Sequence, residues 1–344
     1  MSYKNWIRWG SNWLLCLVMW LGIACEAPVH HYQYGYFSQE SRKPNAQERE
    51  LLKSGQQLQK VYLPLFQVDW DWRQEAPVPL KSQKINYDVF PPHYVCVPII
   101  SGTGRMLDRL TPEDQDQLIE QMVLRIQSLT QKEKLQEILL QISWHSGNFP
   151  ALSYLIEELR AKLDVRVGIV LPLHYLRFGN ETGVPPADFA VLNLYDQLSL
   201  QVISEKESII STGLIQPYLM GFSQYALPIE VAIPSGNWGL VIRNNEPMVI
   251  LPSVRRALFD DPYAFRFLDE YLIKVQRDTY FQGLYLKKGD FIRIDVIRMT
   301  QLKETLRFIR PFIQTDTFQI NLMQAGPEGQ PPLFIDSLEN WLSN

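Results

Sequence analysis

Short apolar runs alternate along the chain with stretches whose apolar residues recur at helical spacing. The runs predict strands at His31–Phe37, Lys60–Trp70, Tyr94–Ile100, Leu135–Ile142, Val165–Leu171, Asp188–Tyr195, Leu227–Ile233 and Thr317–Leu322. Between them the spacing predicts helices over Ala46–Gln59, from Thr111 to about Leu129, over Asn148–Leu163, Glu207–Gln224 and Thr300–Phe312. Thr111-Pro112-Glu113-Asp114 is a helix start: a hydroxyl cap, a proline in the first turn and acids at the positive end of the dipole. Arg73–Asp88 and the Gly- and Pro-containing Tyr175–Pro186 read as loops. After Ile233 the alternation pauses. A hairpin (Gly239–Arg243 and Glu246–Ile250), a helix (Asp260–Val275) and a second hairpin (Tyr280–Leu286 and Phe291–Val296 about Lys287–Asp290) are predicted there. Strand–helix alternation of this kind is the mark of an α/β protein, and the count favours a (β/α)8 TIM-like barrel over residues 31–324. The hairpins are then an insertion, about 239–296, between the last two barrel strands, and 325–344 is a tail with a short helix around Leu338–Leu342.

The first 25 residues read differently. Lys4 and Arg8 precede the apolar Trp13–Ile23, and Gly22-Ile23-Ala24-Cys25 follows, as in a secretory signal ending in a lipobox. The apolar stretch is short for a membrane span, which needs roughly 20 residues. The pattern predicts lipidation of Cys25, a tether over 26–30, and a place in the cell envelope, anchored at the outer membrane and touching it through lipid alone. An uncleaved anchor, or cleavage near Ala24 or Ala27, is the alternative. Cys16 leaves with the signal, so Cys96 stands alone in an apolar strand as a small core residue, without a disulfide framework.

Composition narrows the function. The 344 residues are 46% hydrophobic and 20% charged with a net charge of −4, and no Lys/Arg cluster is present. This argues against a nucleic-acid groove, whose affinity comes from phosphate neutralisation. Nine Trp and 16 Tyr are ample for lining a cleft, though aromatic rings also fill cores. Barrel sites lie at the C-terminal ends of the strands, and those ends place Tyr36, Asp69, Asp71, Ser101, Ser143, His145, His174, Asn193, Tyr195, Asn237 and Asn321 around one mouth. Asp69 and Asp71, two apart on a strand, share a face and are the candidate acid/base carboxylates of a glycoside hydrolase. Such a pair is close for that chemistry, so a partner from another strand is expected, and pairing with Arg73 is the plain alternative. Trp70, Trp144 and Trp238 are candidate stacking platforms for a carbohydrate or other polar small ligand. His145 and His174, with Asp69 or Asp71, could in principle hold a metal for a hydrolase, but no HxH spacing supports it. GxGxxG and GKS loops are absent, so no cofactor is expected.

Several segments together resemble a family of uncharacterised bacterial envelope proteins and lipoproteins with a glycoside-hydrolase-like TIM barrel. They are VYLPLFQVDWD (61–71), ILLQISWHSGNFPALSYLIEELR (138–160), GIVLPLHYLRFGNETGVPPADFAVLNLYD (168–196), LPIEVAIPSGNWGLVIRNNE (227–246) and YLKKGDFIRID (285–295). Its most recognisable pieces are the Thr182–Asp188 turn and the Pro234–Trp238 loop. The resemblance implies a glycan ligand. In that family the fourth strand ends Gln-Ile-Asp-x-Asp-Trp, whereas this chain reads Gln141-Ile142-Ser143-Trp144-His145-Ser146. The loss of both acids implies either a relative that uses Asp69 and Asp71 differently to hydrolyse a glycan, or one that binds without cleaving, a glycan-binding or assembly lipoprotein with a degenerate site.

Overall fold

The computed structural model describes residues 31–38, 58–194, 210–220, 225–252, 254–313, 315 and 317–323. The signal segment with Cys25, the predicted helix over most of Ala46–Gln59, Tyr195 and the C-terminal tail lie outside the described residues.

Eight parallel strands close on themselves: β1 (His31–Phe37), β2 (Leu58–Asp71), β4 (Val95–Gly102), β5 (Glu137–Ile142), β6 (Arg166–Pro172), β7 (Phe189–Asn193), β8 (Ile229–Pro234) and β16 (Thr317–Met323), which returns to β1. The fold is the expected (β/α)8 barrel. β3 (Ala76–Leu80), inside the segment predicted as a loop, runs antiparallel along the far half of β2. Strands buried on both faces need unbroken apolar runs, which is why β5 (EILLQI) and β6 (RVGIVLP) show little alternation.

Helices cover the outside. After the short α1 (Gly104–Leu107), α2 (Pro112–Leu129) starts at Thr111, whose hydroxyl accepts the Asp114 N–H while the Asp114 carboxylate accepts that of Thr111. It buries Leu118, Ile119, Met122 and Ile126. α3 (Phe149–Leu163) buries Leu152, Leu155, Ile156, Leu159 and Leu163, and ends at Asp164 in the left-handed region (φ 54°). α4 (His174–Thr182) replaces the expected loop, with a break at Phe178. α5 (Thr212–Leu219) and α6 (Met299–Ile309) complete the described helices.

Two apolar layers result. Outward side chains such as Val61, Leu63, Ile138, Leu140, Ile169 and Leu192 pack under the helices. Inward ones, among them Phe37, Tyr62, Val97, Leu139, Val170, Phe189 and Val191, fill the lumen. Below them lies a charged plug. Lys60 Nζ bridges Glu137 (2.7 Å) and Glu230 (2.5 Å), and Arg166 meets the other oxygen of Glu137 at 2.6 Å. Tyr62 donates to Glu230, Asn321 donates to the same oxygen at 3.0 Å, and Gln319 donates to Asn321 at 3.0 Å. Every charge there has a partner of opposite sign, as burial demands. Burial, then the Glu230 charge, pushes the Tyr62 phenol well above its ordinary range, so it remains a donor.

Between β8 and β16 the chain builds a second sheet with its own core. It holds β9 (Trp238–Arg243), β10 (Glu246–Pro252), β11 (Phe265–Phe267), β12 (Leu272–Val275) and β15 (Phe291–Asp295), in the order β10-β9-β15-β12-β11. β13 (Thr279–Phe281) and β14 (Leu284–Leu286) form a separate hairpin. Two expectations are corrected here. Asp260–Val275 is a hairpin rather than a helix, because Ile273 pairs with both Phe267 and Ile292. Tyr280–Leu286 is not one strand: Gln282 and Gly283, at φ 47° and 78°, fold it back on itself.

Candidate functional site at the barrel mouth

β2 runs beyond the barrel rim, carried by β3, and its tip sets the first wall of the mouth. Asp69 Oδ1 accepts the Thr103 hydroxyl at 3.0 Å and the Trp70 N–H at 2.8 Å, tying the end of β2 to the residue after β4. Its Oδ2 has no partner among the described residues. Asp71 is elsewhere. One of its oxygens accepts the Arg73 N–H (2.8 Å) and the other the Gln74 amide (3.2 Å), so it holds the β2–β3 turn rather than facing the mouth. The two aspartates therefore do not form a pair, and the pairing partner in the turn is the backbone of Arg73 rather than its guanidinium.

The second wall lies between the loops after β4 and β5. Asn148 is buried, and it staples rather than caps: its Oδ1 accepts the His145 N–H (2.8 Å) and its Nδ2 donates to Asp108 Oδ1 (2.8 Å). His145 Nε2 lies 2.8 Å from the same Asp108 oxygen, and its Nδ1 accepts the Gly147 N–H at 3.0 Å. Because Nδ1 is an acceptor, the proton sits on Nε2 and is donated to Asp108. Both ring nitrogens are thus used within the clamp, and none is left to act as a base. Ser143 is exposed at the same strand end, and Ser101 reaches Gln141 at 3.4 Å across β4 and β5.

Other expected site residues fall away from the mouth. Tyr36 belongs to the outward core, because β1 turns Gly35 and Phe37 inward. Trp144 also points outward: its ring stacks on Tyr175 at 3.9 Å and 11°, and its backbone N–H and C=O both bond the Tyr175 hydroxyl. Burial raises that hydroxyl above its ordinary range. Asn321 is fully buried in the plug, below the mouth. Asn237 accepts the Ile297 N–H (3.1 Å) and the Val254 N–H (3.2 Å), and Ser235 bonds the Met323 carbonyl, so the Pro234–Trp238 loop stitches the insertion to the barrel. Trp238 is buried at 7% exposure in β9. The Thr182–Asp188 turn is structural too: Asp188 accepts the Val167 N–H (2.7 Å) and Arg160 (3.1 Å). Asn193 is buried at the inward end of β7, and His174 is exposed on α4 with its ring 4.3 Å from that of Tyr175. Among the described residues no three His, Cys, Asp or Glu side chains converge as a metal ligand set. Thr103, Asp108 and Asn148 escaped the sequence reading because each matters through a contact distant in sequence. The only local signal was their place in loops after β4 and β5.

Neither the family models nor the curated proteins contain a match to this chain. Solved structures do. A chitinase from Chromobacterium violaceum ATCC 12472 superimposes with a TM-score of 0.54 at 12% identity, over 92% of this chain and 100% of that one. A GH18 chitinase from Cycas revoluta in complex with (GlcNAc)3 gives 0.54 at 9% identity over 90% and 99%. The Bacillus cereus spore cortex-lytic enzyme SleL gives 0.53 at 12% identity over 90% and 74%. The likeness is one of fold. This chain has a (β/α)8 barrel like that of the GH18 chitinases.

Proposed function

We propose that this chain is an envelope lipoprotein whose barrel mouth binds a glycan without hydrolysing it. The reading rests on the tip of β5. Even hydrolysis assisted by the substrate needs a carboxylic acid to protonate the leaving oxygen. Ser143 and His145 occupy that tip, and both nitrogens of His145 are spent on Gly147 and Asp108. Support for a sugar ligand comes from the barrel shared with chitinases, one of them bound to (GlcNAc)3. Support for the anchor comes from the basic start, the apolar Trp13–Ile23 and the small residues before Cys25.

The test is a calorimetric titration of the full chain in detergent with (GlcNAc)4, with reducing-end release followed in parallel. Saturable binding without release is expected, whereas release on a timescale of minutes would overturn the reading. One observation favours hydrolysis as the second reading: Asp69 stands at the mouth with one oxygen unengaged among the described residues. Release that disappears in Asp69→Asn would establish it. Incorporation of labelled palmitate, lost in Cys25→Ser, checks the anchor.

A further inference from the structure

The rim next to Asp69 carries an arrangement that the mouth itself does not use. Trp72 crowns the β2–β3 turn and is 65% exposed. The Arg109 guanidinium carbon lies over its ring at 4.2 Å and 5.8 Å from the Trp70 centroid. Arg109 follows directly on Asp108, which His145 and Asn148 hold, so the cation is positioned from both sides. A guanidinium stacked by its face keeps its in-plane N–H groups free for a planar anion. The Arg109 guanidinium makes no ion pair or hydrogen bond among the described residues, whereas its backbone N–H donates to the Met106 carbonyl at 3.2 Å. Arg73, in the same turn as Trp72, and Arg105, one helical turn before Arg109, are exposed and likewise carry no ion pair there. The same two rim segments carry Asp69, Asp71, Glu75 and Asp108, so the cationic edge is that of the Arg109 guanidinium itself and not a general excess of positive charge.

The geometry points to an outer binding platform, Trp72 with Arg109, for a pyranose that bears a carboxylate. This rests on the glycan reading above. The exposed indole takes the apolar face of the ring, and the guanidinium edge takes the acid. Two sugar chemistries present such an acid: a uronate, with the carboxylate on the ring's own C6, and a muramic-type sugar, with it on a lactyl ether.

The test compares four oligosaccharides of equal length by titration of the full chain: neutral (GlcNAc)4, a hyaluronan tetrasaccharide, the same tetrasaccharide with its carboxylates reduced, and a peptide-free peptidoglycan tetrasaccharide. At least one acidic sugar should bind about tenfold more tightly than its neutral counterpart, the scale of one charge-assisted contact. Which one binds distinguishes the two chemistries. Arg109→Gln should erase that ratio while neutral binding persists, Arg109→Lys should keep part of it, and Trp72→Ala should weaken every sugar. Both positions are exposed, so melting temperatures of the three variants should match the parent. Equal affinities for acidic and neutral sugars, or a ratio that survives Arg109→Gln, would overturn the platform and leave the mouth reading standing. Failure of all four sugars to bind would overturn the glycan reading and the platform together.

Discussion

Single residues show how little slack the interior has. A methyl group on Gly35 would lie 2.0 Å from Asn321 Oδ1 and 3.1 Å from Gln319 Nε2. Asn321 cannot withdraw without releasing Glu230. Gly35→Ala should therefore destabilise by about 1–3 kcal/mol or more, the cost of overpacking a filled core, visible as a lower melting temperature. Cys96 is a second case. Burial pushes its thiol up to about 12, and the nearby Tyr87 phenol is likewise raised to about 12. Both groups are raised in the folded state, so the stability they contribute is complete below their ordinary values and is lost as pH climbs towards about 12. Native protein at pH 9 should leave Cys96 unmodified by a thiol reagent, and urea-unfolded protein should react at once. Rapid reaction of the folded chain would contradict the burial seen here. The sequence did identify Cys96 as a core thiol, because an apolar strand with no ligand spacing leaves few alternatives. It could not separate Asp69 from Asp71. Alternation put both on one face, whereas the β2–β3 turn, set by pairing of Asp71 with Ala76, drew the second one away.

Among elements, the barrel strands were legible because each is an apolar run bounded by turn residues. The insertion was not. Phe265, Leu268 and Leu272 recur at helical spacing, yet β11 and β12 owe their form to pairing with each other and with β15, which no local window contains. α4 was hidden for the opposite reason, since Gly179 and the prolines beyond it read as loop. The insertion carries its own electrostatic lock. The Arg243 guanidinium grips Asp290 with two bonds, of 2.8 and 2.7 Å, joining β9 to the turn before β15. That contact, with the Lys287 N–H, holds the Asp290 carboxyl below its ordinary value. A depressed carboxyl contributes stability that is present above the unfolded value and lost as pH falls through the folded one. Amide protection factors in β9 and β15, taken relative to the intrinsic exchange rate at each pH, should accordingly fall at acidic pH, and Asp290→Asn should flatten that dependence. An unchanged acid profile in the variant would assign the effect elsewhere.

At the level of the whole molecule, the charged plug ties β2, β5, β6, β8 and β16 together beneath the mouth. Glu230 accepts from Lys60, Tyr62 and Asn321 at once. Glu230→Ala would leave a buried ammonium short of a partner and two donors unsatisfied. A loss of about 3–5 kcal/mol is expected, measured by denaturant unfolding. A change under 1 kcal/mol would show that water replaces the carboxylate, since that is the scale of an exposed pair.

The position of β16 in the chain also sets an order of events during synthesis. β1 pairs with β2 on one side but must wait for its second neighbour until the insertion has been made, because that strand, Thr317–Met323, lies beyond the whole second sheet. Until then β1 and β8 both present open edges, and Glu230 lacks the Asn321 amide. Contacts this distant in sequence form late and slowly. The insertion, with its separate core, is positioned to fold first. The nascent chain therefore carries an open seven-stranded sheet as its most aggregation-prone form, and closure by the eighth strand removes both edges in one step.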